Sequence, residues 1–579
     1  MGLTLIWEAY GASFTATAIG VAVIAAALLL GLYALIRKRR GRPWGRVVPA
    51  LLVVVALVAG LAGGVARVLQ QAGGLQRQEG TVVTLDDDTN NFPGQTEVDV
   101  AAFDGLIDRV GEDRLREMKG RFDGADMIGR HRLRVEHRYT ATDMLAYYVW
   151  RMKGQAGEQD AAKGNAYYRA VMELDPRAID AAEKAGAADP ENPMHGAIVL
   201  VKGNVAIEGL PNDSGSWALA DAVATADSNV VRNLRSRGAI VAGRTNLSEF
   251  ANFLTTGGPN GFSGRGGQAL SPQGPLTVDP LGSSTGSASA IALDYADVTV
   301  GTETSGSVLA PAGAAGVVGV KAAHDSCCIS GIVPIDDRVD SVGFLGRSTR
   351  DVQLALDAGC TAGAPAEESA GDSTKKSTEK PTASPTKIMV LGEVPQSLRD
   401  RAKKANIDVV EAPEKIVDLV ADVDMANSEE ILLGGFGPSL ETHLRGSGGT
   451  ARTAADVAKY YRDHPDTAPY GHSTLDRATE VDAAGREAGE KELRRIKKLV
   501  ADVDSELRAA GVDALVTSST DLASFSLAGV PRISVPLEKK TPDDVTGKES
   551  PEVAFQVTAA RTDALPQVLA IAAALGAAL

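Results

Sequence analysis

Gly282-Ser283-Ser284-Thr285-Gly286-Ser287-Ala288-Ser289-Ala290, an apolar run, then Gly301-Thr302-Glu303-Thr304-Ser305-Gly306-Ser307 is the stretch on which the reading turns. Two small, hydroxyl-bearing turns flank a segment, Ile291 to Val300, apolar enough to cross a core. Gly/Ser loops usually only punctuate structure. Flexible linkers, however, do not alternate with apolar runs that continue into Leu309-Ala310-Pro311. The pattern points to a backbone that brings serine hydroxyls and amide N–H groups to one place.

A serine hydroxyl is a weak nucleophile and needs a base within hydrogen-bond reach. The strand pattern His195-Gly196-Ala197-Ile198-Val199-Leu200-Val201 ends on Lys202. Most strand-end lysines are solvated. A buried one can serve as a base once its pKa falls from ~10.4 to about 7–8. The hydroxyl-rich turns would supply its surroundings.

Working outward, Leu200-Val201-Lys202 and the two serine turns occur with Gly215-Ser216-Trp217-Ala218-Leu219, Gly243-Arg244-Thr245-Asn246-Leu247-Ser248-Glu249, Gly264-Arg265-Gly266-Gly267-Gln268 and Gly316-Val317-Val318-Gly319-Val320-Lys321. Ala528-Gly529-Val530-Pro531 and Ile533-Ser534-Val535-Pro536 follow near the C-terminus. Together these blocks resemble the amidase signature family, from about Thr140 to Leu579. The resemblance implies an α/β fold with a mixed central sheet covered by helices. It also implies a Ser-Ser-Lys triad, with Ser307 the nucleophile, Ser283 the bridging serine after a cis peptide bond, and Lys202 the base. Backbone N–H groups of Thr304, Ser305, Gly306 and Ser307 would form the oxyanion hole. Ser284 would support the network or stand as a solvated turn serine. The chain departs from the family pattern at Gly203 and Glu303, where Asp is usual, and at Ser305, where Gly is usual.

Composition narrows the alternatives. The 579 residues carry 59 Lys and Arg against 74 Asp and Glu, a net charge of −15, which argues against a nucleic-acid surface. The same balance counts against a subunit that passes ammonia to aminoacyl-tRNA, another role in this family. Glycine, at 62 residues, exceeds the ~7% of average usage. The seven histidines contain no i, i+4 pair with an acidic partner, so neither a metal centre nor a cofactor is expected. Of Cys327, Cys328 and Cys360 one pair can form, which leaves an odd thiol.

Residues 14–36 and 47–69 are apolar runs without charge before Arg67, and each exceeds the ~20 residues that span hydrocarbon. Six basic residues lie between them, in Arg37–Arg46. Positive-inside bias then puts that loop in the cytoplasm and the large C-terminal part outside. The expectation is a two-helix membrane anchor over 1–69, a polar stalk over 70–139 that ends in two charged helical patches, and an extracytoplasmic catalytic domain over 140–579. A low-complexity insertion at 361–387 is too poor in large apolar groups to order itself. Helices are expected from Gly243 and over Thr474–Ala509. Acting beside a bilayer, the enzyme would take a lipid amide, a peptide amide or a wall fragment, or would cleave an ester. The alternative is an inactive amidase fold that binds or assembles envelope components.

Overall fold

The computed structural model describes residues 95–155, 163–360, 387–517, 522–539 and 552–576. The two apolar runs at 14–36 and 47–69, residues 70–94 and the insertion at 361–386 lie outside them. Among the described residues no helix is long and apolar enough to cross a membrane.

The sheet strands are β1 (Val171–Leu174), β2 (Ile198–Lys202), β3 (Ile240–Thr245), the hairpin β4 (Phe262–Ser263) and β5 (Gly267–Gln268), β6 (Val298–Glu303), β7 (Val318–Lys321), β8 (Ser341–Gly346), β9 (Lys387–Val390), β10 (Asp408–Glu411), β11 (Ala514–Thr517), β12 (Arg532–Lys539) and β13 (Glu552–Thr558). Apart from the β4–β5 hairpin they form one sheet of eleven strands, ordered β1-β3-β2-β6-β8-β7-β12-β13-β11-β9-β10. It is mixed: β3, β2 and β6 run parallel, whereas β6, β8, β7, β12 and β13 pair antiparallel.

Both faces of this sheet are covered, which explains why β2 reads as an unbroken apolar run. Val199 and Val201 enter one core cluster, and Ile198 and Leu200 the other. Side chains alternate along a strand, so Lys202 shares the face of Leu200. Helix Thr285–Ala292 packs there through Ala288 and Ile291.

Three expectations need correction. Residues 101–137, assigned to a stalk, hold helices Asp104–Val110, Glu112–Phe122 and Met127–His137. Phe103, Leu106, Leu115, Met118 and Phe122 are buried in the same cluster as helix Ala141–Met152. Their apolar stripes were masked in the sequence by dense surface charge. Gly243 does not open a helix: β3 continues to Thr245 because buried Arg244 pairs with Glu173 and Asp213. Only a short 3-10 turn, Glu249–Asn252, follows, broken by positive φ at Phe250 and Ala251. The long charged helix is Ala483–Ala509, N-capped by Asp482 and preceded by a separate helix, Ser473–Thr479. Its Ile496, Val500, Val503 and Leu507 are buried, as their spacing predicts.

Candidate active site

Lys202 ends β2 with no exposed surface. Its Nζ lies 2.8 Å from Ser283 Oγ, 2.9 Å from Thr302 Oγ1 and 3.3 Å from the Thr302 carbonyl oxygen. Burial lowers its pKa to about 7, against the opposing pull of Asp340 and Glu303. The lysine is therefore half neutral near pH 7 and already hydrogen-bonded to a serine hydroxyl. Asn204 Nδ2 donates to the same Thr302 Oγ1 at 3.1 Å, and to the Val333 carbonyl at 3.1 Å. At Gly203, one of the departures noted above, a Cβ would come within 2.6 Å of Met172 Sδ and 2.9 Å of Leu247 Cδ2, so a side chain there requires both of these to shift.

Ser283 follows a cis peptide bond from Gly282. Ser284 is fully buried. Its Oγ donates to the Thr302 carbonyl at 3.2 Å and accepts from the Thr302 N–H at 3.3 Å, so it is not a solvated turn serine. Its own N–H donates to the Ser307 carbonyl at 3.0 Å, which ties the two serine turns together. Ser307 is 9% exposed, and its hydroxyl makes no hydrogen bond among the described residues. Gly306 has φ +104°, a conformation that suits glycine. Among the described residues the N–H groups of Ser305, Gly306 and Ser307 donate to no protein group.

Two acidic residues brace this loop. Glu303 Oε2 accepts from the N–H groups of Val308 (2.8 Å) and Leu309 (3.0 Å), so its side chain spans residues 304–307. Glu303 Oε1 accepts from Ser526 Oγ at 2.6 Å, and Arg532 Nη1 donates to that same hydroxyl at 3.0 Å. Asp340 Oδ1 accepts from Thr304 Oγ1 at 2.6 Å, while Oδ2 accepts from the N–H groups of Ile335 and Asp336. Burial raises the Asp340 carboxyl to about 7, against the hydrogen bond from Thr304.

The Amidase family model matches residues 159–546. The chain belongs to the amidase family. A protein of Arabidopsis thaliana described as a probable amidase is 30% identical over 425 residues, 69% of this chain and 81% of the relative. The peptide amidase of Stenotrophomonas maltophilia aligns with a TM-score of 0.65 and 25% identity, over 78% of this chain and 96% of that one. An amidase family protein from Bacillus anthracis shares the fold, with a TM-score of 0.68 and 21% identity over 85% of this chain and 96% of that one. This amidase is thus a hydrolase acting on C–N amide bonds.

Of the residues singled out in the sequence, the amidase fold joins Lys202 to Ser283 directly and Ser284 to Ser307 through the backbone. Thr302, Asn204, Asp340, Ser526 and Arg532 were missed. The signal for Thr302 was present, since it stands inside the second serine block; Asn204 stands two residues past Lys202 and Arg532 inside the C-terminal block, whereas Asp340 and Ser526 carry no local pattern. Cys327 and Cys360 are disulfide-bonded, and Cys328 is an exposed free thiol. Among the described residues no cluster of His, Cys, Asp or Glu could hold a metal ion.

Proposed function

We propose that this amidase cleaves its substrate through an acyl-enzyme on Ser307, with Ser283 as proton relay and Lys202 as base. The observation that carries this reading is the hydrogen bond between buried Lys202 and Ser283. Neutral Lys202 takes the Ser283 proton as Ser283 takes that of Ser307, whose Oγ attacks the amide carbonyl carbon. The carbonyl oxygen becomes an oxyanion held by the free N–H groups of Ser305, Gly306 and Ser307. Lys202 and Ser283 then return the proton to the leaving nitrogen, the C–N bond breaks, and water hydrolyses the ester on Ser307 by the same relay. A base half neutral at pH 7 is what such chemistry requires and speaks for an enzyme rather than an inactive scaffold. A fluorophosphonate should add one phosphonyl group, located on Ser307 by peptide mass spectrometry; an adduct elsewhere would overturn the assignment.

Lys202 must be neutral to accept a proton, so kcat/KM should fall on the acid side with an apparent pKa near 7. Asp340 raises the pKa of Lys202. Asp340 itself titrates in this range, and abolishing its ionised form in Asp340→Asn should therefore move that acid limb to lower pH. A limb that stays in place would mean that another group controls it.

The same proposal places the catalytic body outside the cell, held by helices over 14–36 and 47–69. The basic loop between these runs supports the orientation. The Cys327–Cys360 disulfide supports an oxidising compartment. A membrane-impermeant maleimide on intact cells should label exposed Cys328, and Cys328→Ser should remove the signal. Labelling only after lysis would put the body in the cytoplasm. Among the amides and esters available beside a bilayer, peptide amides are the first class to test, because the Stenotrophomonas maltophilia relative is a peptide amidase.

A further inference from the structure

We propose that the pocket beside the Gly282–Ser283 turn receives an uncharged aryl or branched-alkyl substituent of the substrate, with Leu254, Phe262 and Tyr470 setting the size accepted. The inference rests on the catalytic reading of Ser307 and Ser283. The pocket takes in about 350 Å³ of space with the open solvent at its mouth included. It lies between the 3-10 turn 249–252, the glycine-rich loop 258–262 and the segment 468–471.

Its inner wall rests on the turn that carries the relay serine. The Ser248 N–H donates to the Ser283 carbonyl at 3.1 Å. A Cβ on Gly282 would lie 2.6 Å from Ser248 Oγ and 3.1 Å from Asn252 Nδ2, and both of these side chains line the pocket. Ser248 and Asn252 thus link the lining to the Gly282–Ser283 turn.

The polar groups of the lining are engaged with protein partners. Ser248 Oγ accepts from the Gly261 N–H at 2.7 Å, Asn252 donates to Asn260 Oδ1 at 3.0 Å, and the Thr255 hydroxyl donates to the Tyr470 carbonyl at 3.1 Å. Glu249 accepts from the Gly264 N–H at 2.7 Å and from the Tyr461 hydroxyl. Burial pushes its carboxyl up to about 8, against those bonds, so at neutral pH it is mostly protonated. A charged substituent would lose its hydration without gaining an ionic partner. The remaining walls, Leu254, Pro259, Phe262 and Tyr470, are apolar or aromatic. The Phe262 and Tyr470 rings meet edge to face with centroids 4.9 Å apart, an arrangement that leaves a ring face or edge for a third apolar group.

Gly258 offers a direct way to fill this space. A Cβ there would sit 2.9 Å from Thr255 Cγ2 and 3.7 Å from Tyr470 Cβ, and the residue has no positive φ to forbid a side chain. The test compares second-order rates of Ser307 labelling by a methyl-bearing and a benzyl-bearing fluorophosphonate. In Gly258→Val the benzyl-to-methyl rate ratio should fall by about tenfold or more, the scale on which apolar pockets discriminate bulk. In Tyr470→Ala, at a half-buried position, it should shift the other way. Ratios within about twofold of wild type in both variants would overturn the pocket assignment. Labelling by either probe that survives Ser307→Ala would instead overturn the catalytic reading, and the pocket's role with it.

Discussion

Ser307→Ala is expected to lower kcat on any amide the wild type hydrolyses by about 10⁴- to 10⁶-fold, the scale seen when a serine nucleophile that acts as a unit with its base is removed. Among the described residues the neighbouring serine hydroxyls are already engaged. Ser283 is committed to Lys202, and Ser284 is committed to both backbone groups of Thr302. Substrate binding should persist, because the removed hydroxyl bonds to nothing among the described residues. Steady-state kinetics at saturating substrate, with fluorophosphonate uptake in parallel, check this. A variant that retains about a tenth of wild-type turnover and still takes up the probe would show that the nucleophile lies elsewhere.

Lys202→Met should cost at least about 10³-fold in kcat, since it removes the only amine hydrogen-bonded to Ser283 among the described residues. Its second effect is on stability. The folded pKa of Lys202, about 7, lies below the ~10.4 of an unfolded lysine. Between these values the unfolded chain binds more protons than the folded one, so this residue makes stability rise with pH across that window. Below pH 7 both states are protonated and the destabilisation is at its full, constant value. The wild type should therefore gain stability relative to Lys202→Met by about 1.4 kcal/mol per pH unit above pH 7. Denaturant titrations of both proteins from pH 6 to 9.5 would show it. Parallel stability curves would mean that Lys202 titrates normally, and with that the proposed base would be lost. The pH dependence is the informative readout, because methionine also takes one buried hydrogen-bond partner from Ser283 and one from Thr302, at a cost that does not vary with pH.

Chemistry was legible in this sequence where it is encoded locally. Lys202 could be found because an apolar strand ending on a lysine is a one-dimensional pattern. The two serine turns could be found because small residues at close spacing are required where helix, strand and loop meet. The 95–139 helices were not legible as part of the body: the charge-rich stretch from Glu112 to His137 hides the few apolar residues that bury. Arg244 misled in the same way. Placed in a Gly-Arg-Thr-Asn series it looks like a helix start, yet its charge is satisfied by Asp213 and Glu173 from other parts of the chain.

The sequence was enough to identify the amidase family and the mixed α/β class, and to single out Lys202, Ser283, Ser284 and Ser307 as candidates. The strand that ends on Lys202 and the two serine turns follow from residue type, spacing and alternation, which report local backbone geometry and burial; the family and the serine roles came from the resemblance of the combined blocks. What only the tertiary structure decided is how the site is held: Glu303 clasping the 304–307 loop with Ser526 and Arg532 behind it, Asp340 bonded to Thr304, and Asn204 bonded to Thr302. Ser526 is 223 residues from Glu303 in sequence. Their meeting depends on β12 lying beside β7, and β8 beside β6, in the sheet. Strand order is set by which faces pack over the whole chain, and no local pattern encodes it.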